Sequence, residues 1–511
     1  MAVLLRNGRV WTPGGPPATA IRYDGGAITW VGDPGADLGA AADDEVVDLA
    51  GALVAPAFVD AHVHTTDTGL ATTGLDLRGA GSVREVLDAV DRAARRGGGR
   101  PILGGGWNET DWPEGRVPTL RELDRASYGG IVYLARVDIH SALASSALLS
   151  TVPGVQQLDG YRGEGWVAEP DAHDPVRRAA LAALTRGQRA DAQRAALRHA
   201  ASLGIATVHE MAGPTISSEA DLTDLLALAA AEDLPGVVGY WGELGGVECA
   251  RELGAAGAAG DLFCDGSLGS STAALTEPYA DSGGTGWVRF DVDELVEHIV
   301  ACHGAGLQSG FHAIGDAAVD QVLTAYERAS TRTGRRLGTG NRIEHAEYVR
   351  DPARLAASGL TASMQPVFDA LWGGRHGMYA ARLGADRALA LNRCGELAAA
   401  GVPLAFGSDS PVTELGPWSA VRAAAAHHDP AASLPVDAAF DAHTAGGHWA
   451  AGRPARDAGG LVAGAPATFA VWDVGGLPTL PSGLPDVTAA GPLPTCLRTV
   501  RDGRVIFERD A

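Results

Sequence analysis

The sequence predicts an α/β fold: a (β/α)8 TIM-type barrel with a flanking β-sandwich built from both chain ends and an insertion after barrel strand 1. Three observations predict it. From about residue 204 apolar strand-like runs alternate with helical stretches. Seven such runs, with the one ending at His64, make the eight strands that close a barrel. Turn-punctuated, β-rich sequence occurs at both ends of the chain. A length of 511 residues suits a large barrel with added parts better than one small core.

The first 50 residues read as short strands at 2–5, 8–11, 20–23 and 27–32, with Asp24-Gly25-Gly26 as a hairpin turn. Similar material at 467–473 and 498–507 assigns residues 1–52 and 460–511 to one small sandwich domain. The barrel takes 53–69 and 203–459, with strands expected up to His64 and at 205–210, 236–241, 261–265, 308–313, 342–347, 361–365 and 403–409. Helices are expected at 292–305, 317–333 and 387–400. Residues 70–202 interrupt this rhythm with strand-like runs at 101–105 and 130–137 and a helix at about 175–202, and are read as an inserted, substrate-enclosing subdomain.

Composition narrows the function. A net charge of -22 without any basic run argues against nucleic acid or an anionic membrane as partner and leaves a small-molecule substrate. All 40 basic residues are arginine. A P-loop lysine, a Schiff-base lysine, a Ser-Lys dyad and a metal-bridging lysine carbamate are therefore excluded. Five scattered cysteines build neither a disulfide framework nor a zinc ribbon, which points to a reducing, cytoplasmic compartment. The chain opens directly into strand-like sequence, without signal-peptide features, and no apolar run is long enough to span a membrane.

His62 and His64 stand two residues apart at the end of an apolar run, so a strand would aim both rings to one side. With 15 histidines in the chain, chance alone supplies about 0.4 such pairs, so the pair does not decide the matter. His312, His345 and Asp409 each close another apolar run. Singly, each histidine would be read as a hydrogen-bonded core residue and Asp409 as a helix N-cap. Jointly they lie on one rim of the expected barrel and form a divalent-metal set with an open position. Such ligands bring bound water towards neutral pKa, providing a nucleophile without serine or cysteine. Zn²⁺ is favoured, with Fe²⁺ or Mn²⁺ also suited to these ligands.

With these ligands, Gly105-Gly106-Trp107-Asn108 followed by Trp112-Pro113, Val137-Asp138-Ile139-His140, Asp265-Gly266-Ser267-Leu268-Gly269-Ser270 and the closing Gly459-Gly460-Leu461-Val462-Ala463-Gly464-Ala465-Pro466-Ala467 carry a resemblance. Over essentially its whole length the chain resembles the amidohydrolase superfamily, and within it the amidohydrolase-3 group of YtcJ-like and N-substituted formamide deformylase-like proteins. The resemblance implies a metal-bound hydroxide that attacks an amide carbonyl or an amidine-like carbon. It implies His62, His64, His312 and Asp409 as metal ligands, with Asp409 also the catalytic base, and His345 either on the metal or at the oxyanion. Where such proteins often carry a lysine, this chain has Asp261. Period-two geometry puts Asp261, Phe263 and Asp265 on one face, so Asp261 is either a bridging carboxylate or a residue without metal contact. One ion is favoured, with two as the alternative.

Secondary candidates for substrate contact are Trp107, Asn108 and Trp112, His140 with a structural role weighing equally, and Arg375 beside His376, for which a surface loop is the favoured reading. His209-Glu210 could support the ligands. The leading function is hydrolysis of a non-peptide C–N bond of amide, N-formyl or N-acyl type. A deaminase of a nucleobase-like heterocycle is the alternative, and a catalytically silent barrel is disfavoured by the intact ligand set. A homodimer is a family expectation.

Overall fold

A computed structural model describes residues 2–15, 17–33, 44–110, 112–136, 141–168, 171–452 and 460–510. Eight parallel strands follow one another around the barrel: β1 Phe58–Val63, β2 Ile205–Ala212, β3 Gly236–Trp241, β4 Gly257–Ala258, β5 Gln308–Ala313, β6 Arg342–His345, β7 Thr361–Met364 and β8 Leu404–Phe406. Every residue of β1 and β2 is buried, as expected of parallel strands covered by helices. Helix Val292–Ala305 begins at a capping box between Asp291 and Glu294 and ends at Gly306, whose φ of 71° suits glycine. It packs beside Asp316–Thr333, and Phe311, Ile343, Val322, Ile299 and Phe406 share the core between strands and helices. Each fully buried side chain of this size stabilises the fold by roughly 1.5–3 kcal/mol.

The ring closes just beyond the strands. Asp409 N–H donates to His62 O at 2.7 Å and His64 N–H to Ser410 O at 2.9 Å, so the segment after β8 is tied to the end of β1. That approach requires Gly407, where a Cβ would stand 2.5 Å from His62 N and 2.9 Å from Asp60 Oδ1.

Three expected elements differ. Strand 261–265 is not regular: β4 lies earlier, Gly260 at φ 90° breaks the extended run, and Phe263 meets β5 through one bridge to His312. Helix 387–400 is two short helices, Ala385–Ala388 and Cys394–Ala399. Between them Asn392 takes φ 52° and donates its N–H to Glu347 O at 2.8 Å. Helix 175–202 is also two, His173–Ala183 and Arg186–Ser202, parted where Leu184 is extended and the Thr185 hydroxyl accepts from Gln188 N–H.

Both chain ends meet in a sandwich. One sheet runs Ala27–Gly32, Ala20–Asp24, Val3–Arg6, Glu45–Asp48, and the other Arg9–Val10, Leu53–Pro56, Phe469–Asp473, Thr495–Arg501, Arg504–Glu508. Leu5, Ile21, Ile28, Val54, Val471 and Val500 fill the space between, and Tyr23 meets Phe469 edge-on at 5.5 Å. Leu53–Pro56 thus belongs to the sandwich, with the barrel starting at Phe58.

The chain divides into two compact units, Met1–His64 with Leu197–Ala511, and Thr65–Ala196. The second has its own five-stranded sheet, ordered Trp166–Ala168, Ser141–Ala144, Val132–Arg136, Ile102–Trp107, Leu75–Asp76, and its own core of Val86, Val90, Trp107, Trp112, Leu134 and Leu143. Among the described residues no helix is long and apolar enough to cross a membrane.

Candidate metal centre

The barrel brings His62, His64, His312, His345, Asp261 and Asp409 together in two groups that share Asp261. In the first, Asp261 Oδ2 lies 3.4 Å from His62 Nε2 and 3.2 Å from His64 Nε2. Asp409 Oδ1 lies 3.4 and 3.1 Å from the same two nitrogens. In the second, Asp261 Oδ1 lies 3.5 Å from His312 Nδ1 and 3.4 Å from His345 Nε2. The two oxygens of one carboxylate are therefore divided between the groups.

The donor chemistry fits a divalent cation. Among the described residues His62 Nε2 and His312 Nδ1 are buried and find no hydrogen-bond partner. The opposite nitrogen of each ring is engaged: His62 Nδ1 with Glu344 Oε2 at 3.0 Å, His64 Nδ1 with Met211 O at 3.1 Å, His312 Nε2 with Gly266 O at 3.1 Å and His345 Nδ1 with Gln365 Oε1 at 2.8 Å. A ring that donates outwards presents a lone pair inwards, which is the state a metal ligand needs. Without a cation, protons meet the electrostatic demand. Burial disfavours a charged His62, but Asp261 and Asp409 outweigh it and push the imidazole up to about 10. Burial opposes ionisation of Asp261 and Asp409 too, yet His62 and the other rings hold both below the usual carboxylate range.

Backbone geometry aims these groups. Asp60 Oδ1 accepts from His62 N–H at 3.2 Å and Ser408 N–H at 3.0 Å, pinning the first histidine strand to the segment that carries Asp409. His345 and Asp409 sit in the left-handed region, at φ 66° and 56°. Such positions cost about 1–3 kcal/mol and persist where the surroundings over-determine them. Asp265 accepts from Ala274, Ile314 and Gly315 N–H at 2.8–3.0 Å, so the Asp-Gly motif locks the loops after β4 and β5. Aromatic rings flank the second group. Phe263 lies 4.7 Å from the His312 ring, Phe368 stacks on His345 at 6.3 Å and 12°, and Trp372 follows 4.8 Å beyond Phe368.

The secondary candidates are not members of these two groups. Trp107 is wholly buried in the inserted unit, donating from Nε1 to Leu134 O at 2.8 Å and packed on Trp112 and Trp166, so it is a core anchor and not a lining residue. Trp112 is likewise buried, its Nε1 donating to Ala80 O at 2.9 Å. Asn108 is exposed and accepts from Thr110 Oγ1. Arg375 is exposed and pairs with Asp386 at 3.0 Å, as a surface loop residue would. His140 lies outside the described residues. His209 Nδ1 meets Arg342 Nη1 at 3.0 Å. Sequence reasoning missed Glu344, Gln365 and Phe368. For Glu344 a signal was present, since Arg342 and Glu344 are opposite charges two apart and a strand points both to one side.

A model of the family described as "Amidohydrolase family" matches residues 45–507. The Arabidopsis thaliana protein LONG AFTER FAR-RED 3 is 30% identical over 83% of this chain and 77% of its own length. The N-substituted formamide deformylase of Arthrobacter pascens is 26% identical over 89% of this chain and 90% of its own. Among solved structures, an uncharacterized metal-dependent hydrolase from Pyrococcus furiosus superposes with a TM-score of 0.77 at 29% identity, covering 92% of this chain and 98% of that one. The chain therefore belongs to the amidohydrolase family, as a metal-dependent hydrolase acting on carbon–nitrogen bonds.

Proposed function

We propose that the protein hydrolyses N-substituted amides with a small acyl group, N-formyl or N-acyl, and that His62, His64 and Asp409 would hold one divalent ion and His312 and His345 a second, with Asp261 serving both groups and Zn²⁺ the preferred metal. The single observation that carries the two-ion part of this reading is the division of the Asp261 oxygens between His62 with His64 and His312 with His345, and the amide class is supported by the likeness to the N-substituted formamide deformylase of Arthrobacter pascens. The division favours two ions over the one expected from sequence, and it supports His345 as a ligand rather than an oxyanion contact. When bound, the metal supplies Lewis acidity, easing deprotonation of water and polarising the carbonyl.

The chain's own groups do the rest. Asp409, kept ionised against its burial by His62 and His64, accepts the proton of the attacking water and returns it to the leaving nitrogen. Phe263 and Phe368 offer apolar faces beside His312 and His345 for the nitrogen substituent. A panel of N-alkyl and N-aryl formamides and acetamides tests the reading against heterocyclic amidines. Release of a carboxylic acid and an amine is expected. Ammonia released from heterocycles alone would replace it with the deaminase reading.

A further inference from the structure

We infer that the buried Arg342–Glu344 pair is a positioning device for His62, and that it makes the His62, His64, Asp409 half the tight metal position and the His312, His345 half the exchangeable one. The inference rests on the metal reading above. Four histidines face the centre, and each hands its outer nitrogen to a different acceptor. Three acceptors are neutral: the Met211 and Gly266 carbonyls and the Gln365 amide. Among the described residues only His62 has a carboxylate within hydrogen-bond distance of that nitrogen, Glu344 at 3.0 Å, whereas the Asp265 carboxylate stands 3.6 Å from His312 Nε2 and is taken up by three backbone N–H groups. A charged acceptor makes the stronger hydrogen bond and the more basic ligand.

A wholly buried carboxylate does not remain ionised unaided. Arg342 provides the counter-charge, forking onto Glu344 through Nε and Nη2. The guanidinium is itself fully buried and is held from several sides. Nη2 also donates to Ala61 O at 2.6 Å and Ser363 Oγ at 2.9 Å, Nη1 meets His209 Nδ1, and the group lies 4.7 Å from the centre of the Tyr240 ring. It thus ties β6 to β1, β2 and β7, and fixes the Glu344 carboxylate relative to the strand that carries His62.

The effect stays within one half. Glu344 and His345 are chain neighbours, yet the left-handed backbone at His345 turns that ring to Asp261 and Gln365, while Glu344 reaches His62. The ligand count points the same way. Among the described residues the His62 half has a carboxylate of its own, Asp409, and the other half has only its share of Asp261.

The test is a Zn²⁺ titration of the chelator-stripped full chain against a competing chelator, reading affinity rather than turnover. The wild type should take up its ions in two steps, the first at least about tenfold tighter. Glu344→Gln should weaken the first step by about 10–100-fold and leave the second within about threefold. Gln365→Leu should weaken the second step alone, and it keeps the inference testable if the Glu344 variant fails to fold. A single bound ion sensitive to Glu344→Gln also supports the inference. Two ions of equal affinity, equal weakening of both steps, or one ion indifferent to Glu344 would overturn it. Failure of the wild type to bind Zn²⁺, Fe²⁺ or Mn²⁺ would overturn the metal reading instead.

Discussion

Replacing Asp261 by Asn removes one negative charge at the point where the two ligand groups meet and leaves the shape nearly unchanged. The amide can turn its oxygen to one group only and must point its N–H donors at the lone pairs of the other. The four ring nitrogens stand 3.2–3.5 Å from the Asp261 oxygens, so a cation among them is within ordinary contact of this charge. At an effective dielectric near 20, two unit charges 4 Å apart are worth about 4 kcal/mol. If water and relaxation recover half of that, about 2 kcal/mol remains, or roughly 30-fold in affinity per position. The loss is unequal in effect, because the His62 half keeps Asp409 and the His312 half keeps no carboxylate. Equilibrium dialysis with metal analysis by mass spectrometry should show about two ions per chain falling to about one. Two ions retained at affinities within about threefold of wild type would refute the shared role of Asp261.

Other substitutions and conditions give further expected outcomes. Asp409→Asn, assayed at saturating metal, should lower kcat by about 10²–10⁴ with a smaller change in KM, and full turnover would remove Asp409 as the proton carrier. In the metal-free protein His62 rises from an ordinary 6.5 to about 10, so its stabilising contribution is complete below about pH 6.5 and is lost as pH rises through about 10. The melting temperature of chelated protein should therefore fall between pH 7 and 10, and a rise across that window would contradict the assignment. Glu344 is opposite in sign: burial opposes its charge, but Arg342 and His62 hold it at about 2 against an ordinary 4.5. Its contribution is present above about pH 4.5 and lost as pH falls through about 2, so calorimetry of the Glu344→Gln variant should show a flatter acid limb. Trp107→Ala should destabilise the inserted unit by about 3–5 kcal/mol and leave KM within about twofold, whereas a large rise in KM without loss of stability would restore a substrate role.

The barrel was legible because its signals are local. Apolar runs of strand length, helical stretches between them and a charged or imidazole group near the end of several runs are all read within a dozen residues. His62, His64, His312, His345 and Asp409 were singled out as candidates in this way, and the barrel brings them together because its C-terminal rim collects residues that share only their position at strand ends. The same local reasoning failed where the backbone leaves the regular path. Gly260 bends the expected strand at 261–265, and Asn392 divides the helix expected at 387–400. A two-residue period would set the His345 ring opposite Glu344, and a positive φ turns it elsewhere.

By itself, then, the sequence determined the class of fold, the family and the chemical type of the candidate ligands. The absence of lysine alone ruled out a carbamate bridge. Only the tertiary structure decided how those side chains are grouped around Asp261. Whether Asp261 stands beside one pair of histidines or between two depends on strand neighbours brought together by closure of the ring, and no local pattern records distances between residues 62, 261 and 345. The support of His62 by Glu344 joins residues 282 positions apart for the same reason: hydrogen bonds between side chains are short-ranged, and which ones form is set by packing across the barrel.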